Sequence, residues 1–143
     1  IVNGLLYVNG YASWTASCVG TSKLFDIKHP TKGEGHRLAH GCLEGPEIGV
    51  YYRGRLKGSN IIKLPHYWEG LVDYQTITIH LTPNHMHQEL YVKKLEIGKI
   101  TIMNNTGSKI DCSYIVYAQR KDVDKLIVEY EGDKAMEQGG PKD

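Results

Sequence analysis

The densest polar cluster in the chain is Arg37-Leu-Ala-His40-Gly-Cys42-Leu-Glu44-Gly-Pro46-Glu47. Residues two apart in a strand share a face, so Cys42 beside His40 has the spacing of a thiol nucleophile and its base. That chemistry also requires a group to orient the base and donors for an oxyanion, and no nucleophile signature surrounds this cysteine. The simpler reading makes His40 and Cys42 sheet residues and the segment from Glu44 to Glu47 the turn after them. Glu44 and Glu47 are also a candidate carboxylate pair for glycoside hydrolysis, which demands a separation of ~5 Å or ~6.5–9.5 Å. A proline turn imposes neither distance. Pairing with Arg53 or Arg55, or with backbone N–H groups, is the more ordinary use of such acids.

His85-Met86-His87 is the only metal-like spacing. Two imidazoles on one strand face do not complete a site. Three copies about a threefold axis would bring six nitrogens together, an octahedral set suited to iron or a similar ion. A solvated loop after Thr82-Pro83-Asn84 is the plainer alternative. His66-Tyr67-Trp68-Glu69 sets two aromatics among polar groups in a loop, the make-up of a receptor-binding platform on which a sugar stacks. Packing of Trp68 into a core or an interface competes with that role. Nucleotide-binding, zinc-protease and serine-hydrolase signatures are absent.

The elements that must position these residues belong to a chain of 143 residues with 17 basic and 16 acidic side chains, a net charge of +1. That length predicts one domain. Near-neutral charge predicts neither a nucleic-acid nor an anionic-membrane partner, and no apolar run reaches the ~20 residues that span a bilayer. The opening Ile1-Val2-Asn3-Gly4 has neither Met nor a signal-peptide pattern, which reads as a piece of a longer protein. Three cysteines without a paired spacing suggest no zinc knuckle and no disulfide framework.

Ten Tyr against one Phe, with 16 Gly, favours pleated surfaces cornered by tight turns. Alternation of period two recurs along the chain. It predicts strands over Lys23–Ile27, Ile48–Arg53, Tyr74–Thr82, Lys99–Asn104 and Ile110–Ala118, with a further strand through Leu126, Val128 and Tyr130. Asn104-Asn105-Thr106-Gly107 predicts a hairpin between two of them. Leu90 and Val92 differ in parity from Leu95 and Ile97, which predicts a bulge near Lys93-Lys94. Pro65 to Val72 is the only candidate helical turn. The expected fold is all-β: a small antiparallel sandwich or prism over residues 23–131. An N-terminal strand arm over 1–22 would pack against sister chains in a homotrimer, burying Leu5, Tyr7 and Trp14, and 132–143 would form a mobile tail.

Three segments together resemble a known group of proteins. They are Lys23-Leu-Phe-Asp26-Ile-Lys-His29-Pro30, the run from Arg37 through His40, Cys42, Glu44, Pro46 and Glu47 to Arg53-Gly54, and Tyr117-Ala-Gln-Arg120-Lys-Asp122. With Ile62-Lys-Leu-Pro65, Tyr67-Trp68 and Thr78-Ile-His-Leu81 in order between them, the chain is similar to a C-terminal domain of tail-fibre-like virion proteins. These occur in marine cyanophages, related tailed phages and large algal viruses. Many of those proteins carry a self-cleaving chaperone domain whose Ser and Asp motif is missing here, so self-cleavage is not implied. The resemblance implies a virion component assembled in the host cytoplasm, in contact with other fibre subunits. It implies a non-enzymatic domain at or near a fibre tip that presents loops to a host glycan or protein. A Cys-dependent or polysaccharide-cleaving hydrolase and a purely structural fibre domain are the rival expectations.

Overall fold

The computed structural model describes Val8, residues 24–41, Leu43 and residues 45–131. Among these, eight strands form three antiparallel sheets with almost no helix. β1 (Leu24–Lys28) and β2 (Arg37–Gly41) make a two-stranded ribbon. β3 (Gly49–Lys57), β8 (Asp111–Gln119) and β5 (Thr78–Pro83) make a sheet in the order β3-β8-β5. β4 (Ile61–Lys63), β7 (Lys99–Asn104) and β6 (Leu90–Glu96) make another in the order β4-β7-β6. The arm over 1–22 and the tail over 132–143 lie outside the described residues, Val8 excepted.

Both three-stranded sheets contribute to one core. The period-two pattern of β8 buries Cys112, Tyr114, Val116 and Ala118, and β3 adds Val50 and Leu56. From the other sheet come Ile62, Ile100 and Ile102. The expected bulge is present as a register shift between Val92 and Lys94, which brings Leu95 opposite Ile100 after Val92 opposite Ile102. Pro83 ends β5 at a sheet edge, where its missing N–H removes no bond from a central ladder.

Three expectations are corrected. β7 and β8 do not form a hairpin, because β4 and β6 already occupy both edges of β7. Instead the Asn104 amide closes the connection as a compact loop. Its nitrogen donates to the carbonyl and hydroxyl of Ser108, and its oxygen accepts from the N–H groups of Glu89 and Thr106. Residues 124–131 contain no strand, since alternation yields one only where a sheet edge takes up its backbone bonds. The start of the expected strand at Tyr74 is a 3₁₀ turn over Tyr74–Thr76. Asp73 sets that turn by accepting from the Gln75 N–H at 3.0 Å.

A single helical turn, α1 (Trp68–Leu71), forms after Pro65 as expected. It is the anchor of the ribbon. A Cβ on Gly70 would lie 2.7 Å from that of Pro30, so the β1–β2 connection rests directly on α1. On its other side the Lys121 Nζ donates to the Glu69 carbonyl at 2.6 Å, and Val72 bridges to Arg120 beyond the end of β8.

Candidate functional site

The ribbon, α1 and the end of β8 bring separate sequence motifs into one aromatic cluster. His40 on β2 stacks on Phe25 of β1 at 4.9 Å between ring centres, and Tyr67 meets it edge-on at 5.5 Å. The His40 Nε2 and the Tyr67 hydroxyl are 3.2 Å apart. The Arg120 guanidinium lies 4.4 Å from the centre of Phe25 and forms a forked pair with Asp122 at 2.6 and 2.9 Å. His29 meets Tyr67 edge-on at 6.0 Å, and its Nδ1 accepts from the N–H groups of Thr31 and Lys32.

Electrostatics in this cluster favour neutral groups. Burial and then the Arg120 charge hold His40 below the ordinary histidine range, while burial and Tyr52 push the Tyr67 phenol up. Partial burial and the nearby Lys32 lower His29 in the same sense as His40. A neutral imidazole against a phenol that keeps its proton is a packing contact with a hydrogen bond, the sheet-residue reading of His40. Cys42 and Glu44 lie outside the described residues. Pro46 and Glu47 sit in an exposed bend.

The loop platform expected at His66 to Glu69 is corrected in its central residue. Trp68 is fully buried, and its ring lies 6.4 Å from that of Tyr52 in the core. Helical periodicity of α1 turns Trp68 and Leu71 inward together, so no indole face is offered to solvent. The Trp68 Nε1 has no hydrogen-bond partner among the described residues. Tyr67 is turned to His40, and the exposed His66 and Glu69 pair with each other at 3.4 Å.

His85 and His87 are on a loop after Pro83 rather than on a strand face. The His85 Nε2 accepts from the Arg55 guanidinium at 2.9 Å, and His87 approaches Glu89 at 4.0 Å. Among the described residues no group of three or more His, Cys, Asp or Glu is arranged to hold a metal. Arg55 also makes a forked pair with Asp111 at 2.9–3.1 Å. Burial pushes the Asp111 carboxyl up, but the bonds and charge of Arg55 outweigh it and leave the group below the ordinary range.

Sequence reasoning missed the solvent face of the β3-β8-β5 sheet. Even-numbered residues of β8 point to the core, so Tyr117 and Ile115 point outward, beside Tyr51 and Arg53 of β3 and Thr78 and His80 of β5. Tyr51 and Tyr117 are neighbours at 6.3 Å, and His80 meets Tyr117 edge-on at 6.0 Å. Three rings from three strands therefore form one row. Arg53 is exposed next to it and has no carboxylate partner among the described residues. The signal was present as Tyr51-Tyr-Arg53, but only the pairing register brings Tyr117 and His80 to the same patch. Beside this face, between β2 and β3, runs a cleft of about 540 Å³ lined in part by His40, Tyr51, Tyr52, Arg53 and Tyr67.

Among the described residues no helix is long and apolar enough to cross a membrane. No protein-family model, curated protein or solved structure matches the chain.

Proposed function

We propose that the chain is a non-enzymatic attachment domain of a virion appendage, at or near the tip of a tail fibre, arranged as a β-sandwich that works as a homotrimer. The observation that carries the binding role is the outward-facing ring row Tyr51–Tyr117–His80, its central ring half-buried between two exposed ones, with exposed Arg53 beside it. Aromatic faces stack on the C–H surfaces of a sugar, and a guanidinium with no carboxylate partner among the described residues takes a carboxylate or sulfate in its planar fork. The fitting ligand class is an anionic glycan of the host surface. Copies on one particle raise a weak single-site affinity by effective concentration. The virion assignment rests on the sequence resemblance of the segments around His29-Pro30, Arg37 to Gly54 and Arg120 to Asp122. An iron at His85 and His87 would need sister chains to supply ligands and would have to displace Arg55 from His85.

Titration calorimetry with hexuronate oligosaccharides tests this reading. Arg53→Ala should weaken binding by about tenfold or more, the scale of a lost hydrogen bond to a charged group. Tyr117→Ala should weaken it further, with thermal unfolding still cooperative in both. Binding unchanged in both variants overturns the glycan site. Release of new reducing ends from the oligosaccharide by the parent chain, lost in Glu47→Gln, would establish the hydrolase reading instead.

A further inference from the structure

The cleft between β2 and β3 separates two strand edges whose outward backbone groups bond no other strand among the described residues. In an antiparallel pair, residues alternate between bonding their partner and pointing away from it. The bonds Gly58 N–H to Ile110 carbonyl and Arg120 N–H to Ile48 carbonyl set the parity of β3. Its even-numbered residues bond β8, so Gly49, Tyr51 and Arg53 direct their backbone groups outward. His29 N–H to His36 carbonyl sets the parity of the ribbon in the same way. Ala39 and Gly41 of β2 therefore point away from β1. Both outward sets line the one cleft. β2 and β3 run more than 8 Å apart over most of their length, so they are not bonded neighbours, which lie ~4.8 Å apart.

We propose that this cleft is a strand-acceptor site, filled by the segment Leu5-Leu6-Tyr7-Val8 of a second copy of the chain. The inserted strand would bond both edges and join the ribbon to the β3-β8-β5 sheet. The lengths agree. Gly49 to Arg53 spans about 16 Å and a four-residue strand about 13 Å. The donor run is uncharged, strand-forming and bounded by Gly4 and Asn9-Gly10. One side of the cleft carries Val50, Tyr52 and Tyr67 to receive alternate side chains. Val8, the described residue of this segment, is 49% exposed and lies in no strand. Donation from each copy to the next is a head-to-tail exchange, which closes into a threefold ring when successive copies are related by 120°. The inference deepens the homotrimer reading and rests on it.

The test uses the full chain. Light scattering should show concentration-dependent association, with hydrogen exchange at Ala39, Gly41, Tyr51 and Arg53 slowed by about tenfold or more in the associated form. Ala39→Pro removes only an outward N–H, so it should abolish association and leave the fold intact. Leu6→Pro breaks the donor segment as a strand and should act alike. A chain that stays monomeric near 100 μM (roughly the upper range of weak assembly), or that associates with those amides still fast, overturns the proposal. Titration with hexuronate oligosaccharide on the same samples separates the two readings. A parent chain that fails to associate yet keeps Arg53-dependent binding refutes strand exchange alone.

Discussion

Gly54 faces Tyr114 directly across the β3–β8 ladder, and a Cβ at position 54 would lie 2.5 Å from the phenolic oxygen and 2.8 Å from its ring carbon. The ring is held there by the core, where burial and Tyr52 push its hydroxyl up to about 12. Gly54→Ala should therefore cost about 1–3 kcal/mol through overpacking, read as a lower urea midpoint. His40 governs a second effect. Its folded pKa is depressed below the ordinary 6.5 by burial and Arg120, so the unfolded chain takes up this proton at higher pH than the folded one. The contribution to stability is whole above 6.5 and is lost as pH falls through the folded value. His29 is shifted in the same direction. The melting temperature should fall between about pH 7.5 and about pH 5.5, and His40→Gln should make that fall shallower.

At the scale of elements, no backbone bond among the described residues joins the ribbon to another sheet, and side chains hold it to the body. Leu38 enters the core while Phe25 and Ile27 pack against it, and Pro30 rests on Gly70 of α1. Because the obstructing atoms are a proline ring carbon at 2.7 Å and a backbone carbonyl at 3.1 Å, neither swings aside as a flexible side chain would. Gly70→Ala should lift the ribbon at a cost of about 1–3 kcal/mol. Hydrogen exchange should show it as faster opening of the amides in Leu24–Lys28 and Arg37–Gly41 than in β8. The same contact explains how His29-Pro30 and Tyr67-Trp68, far apart in the chain, belong to one structural unit.

At the scale of the molecule, the described residues present one face of tyrosines, His80 and Arg53 to solvent and keep Cys112 subdued. Cys112, the one cysteine among the described residues, is buried, and burial followed by Asp111 pushes its thiol up. At the proposed glycan site Arg53 would bring an ionic component to binding. Its contribution should decline as salt rises from about 0.05 M to about 0.5 M, where screening shortens to a few ångströms. The stacking contribution of Tyr51 and Tyr117 should persist. Calorimetry with hexuronate oligosaccharides across that range should leave a residual affinity that Tyr117→Ala removes. A neutral glycan bound as tightly as the anionic one would overturn the role given to Arg53.

Alternation of apolar and polar residues made most strands legible in the sequence, because side-chain direction along a pleated chain is a local property. The bulge at Lys93 and the helical turn after Pro65 were legible for the same local reasons. Strand partners were not, since pairing depends on which edges other segments have already taken. Ile110 to Ala118 therefore has the expected strand character but bonds β3 and β5 instead of the neighbouring β7. The ring row is the functional counterpart of that lesson. Tyr51, Tyr117 and His80 are recognisable singly as strand residues. Only the tertiary register, set by which side chains must be buried together, turns them to one surface beside Arg53.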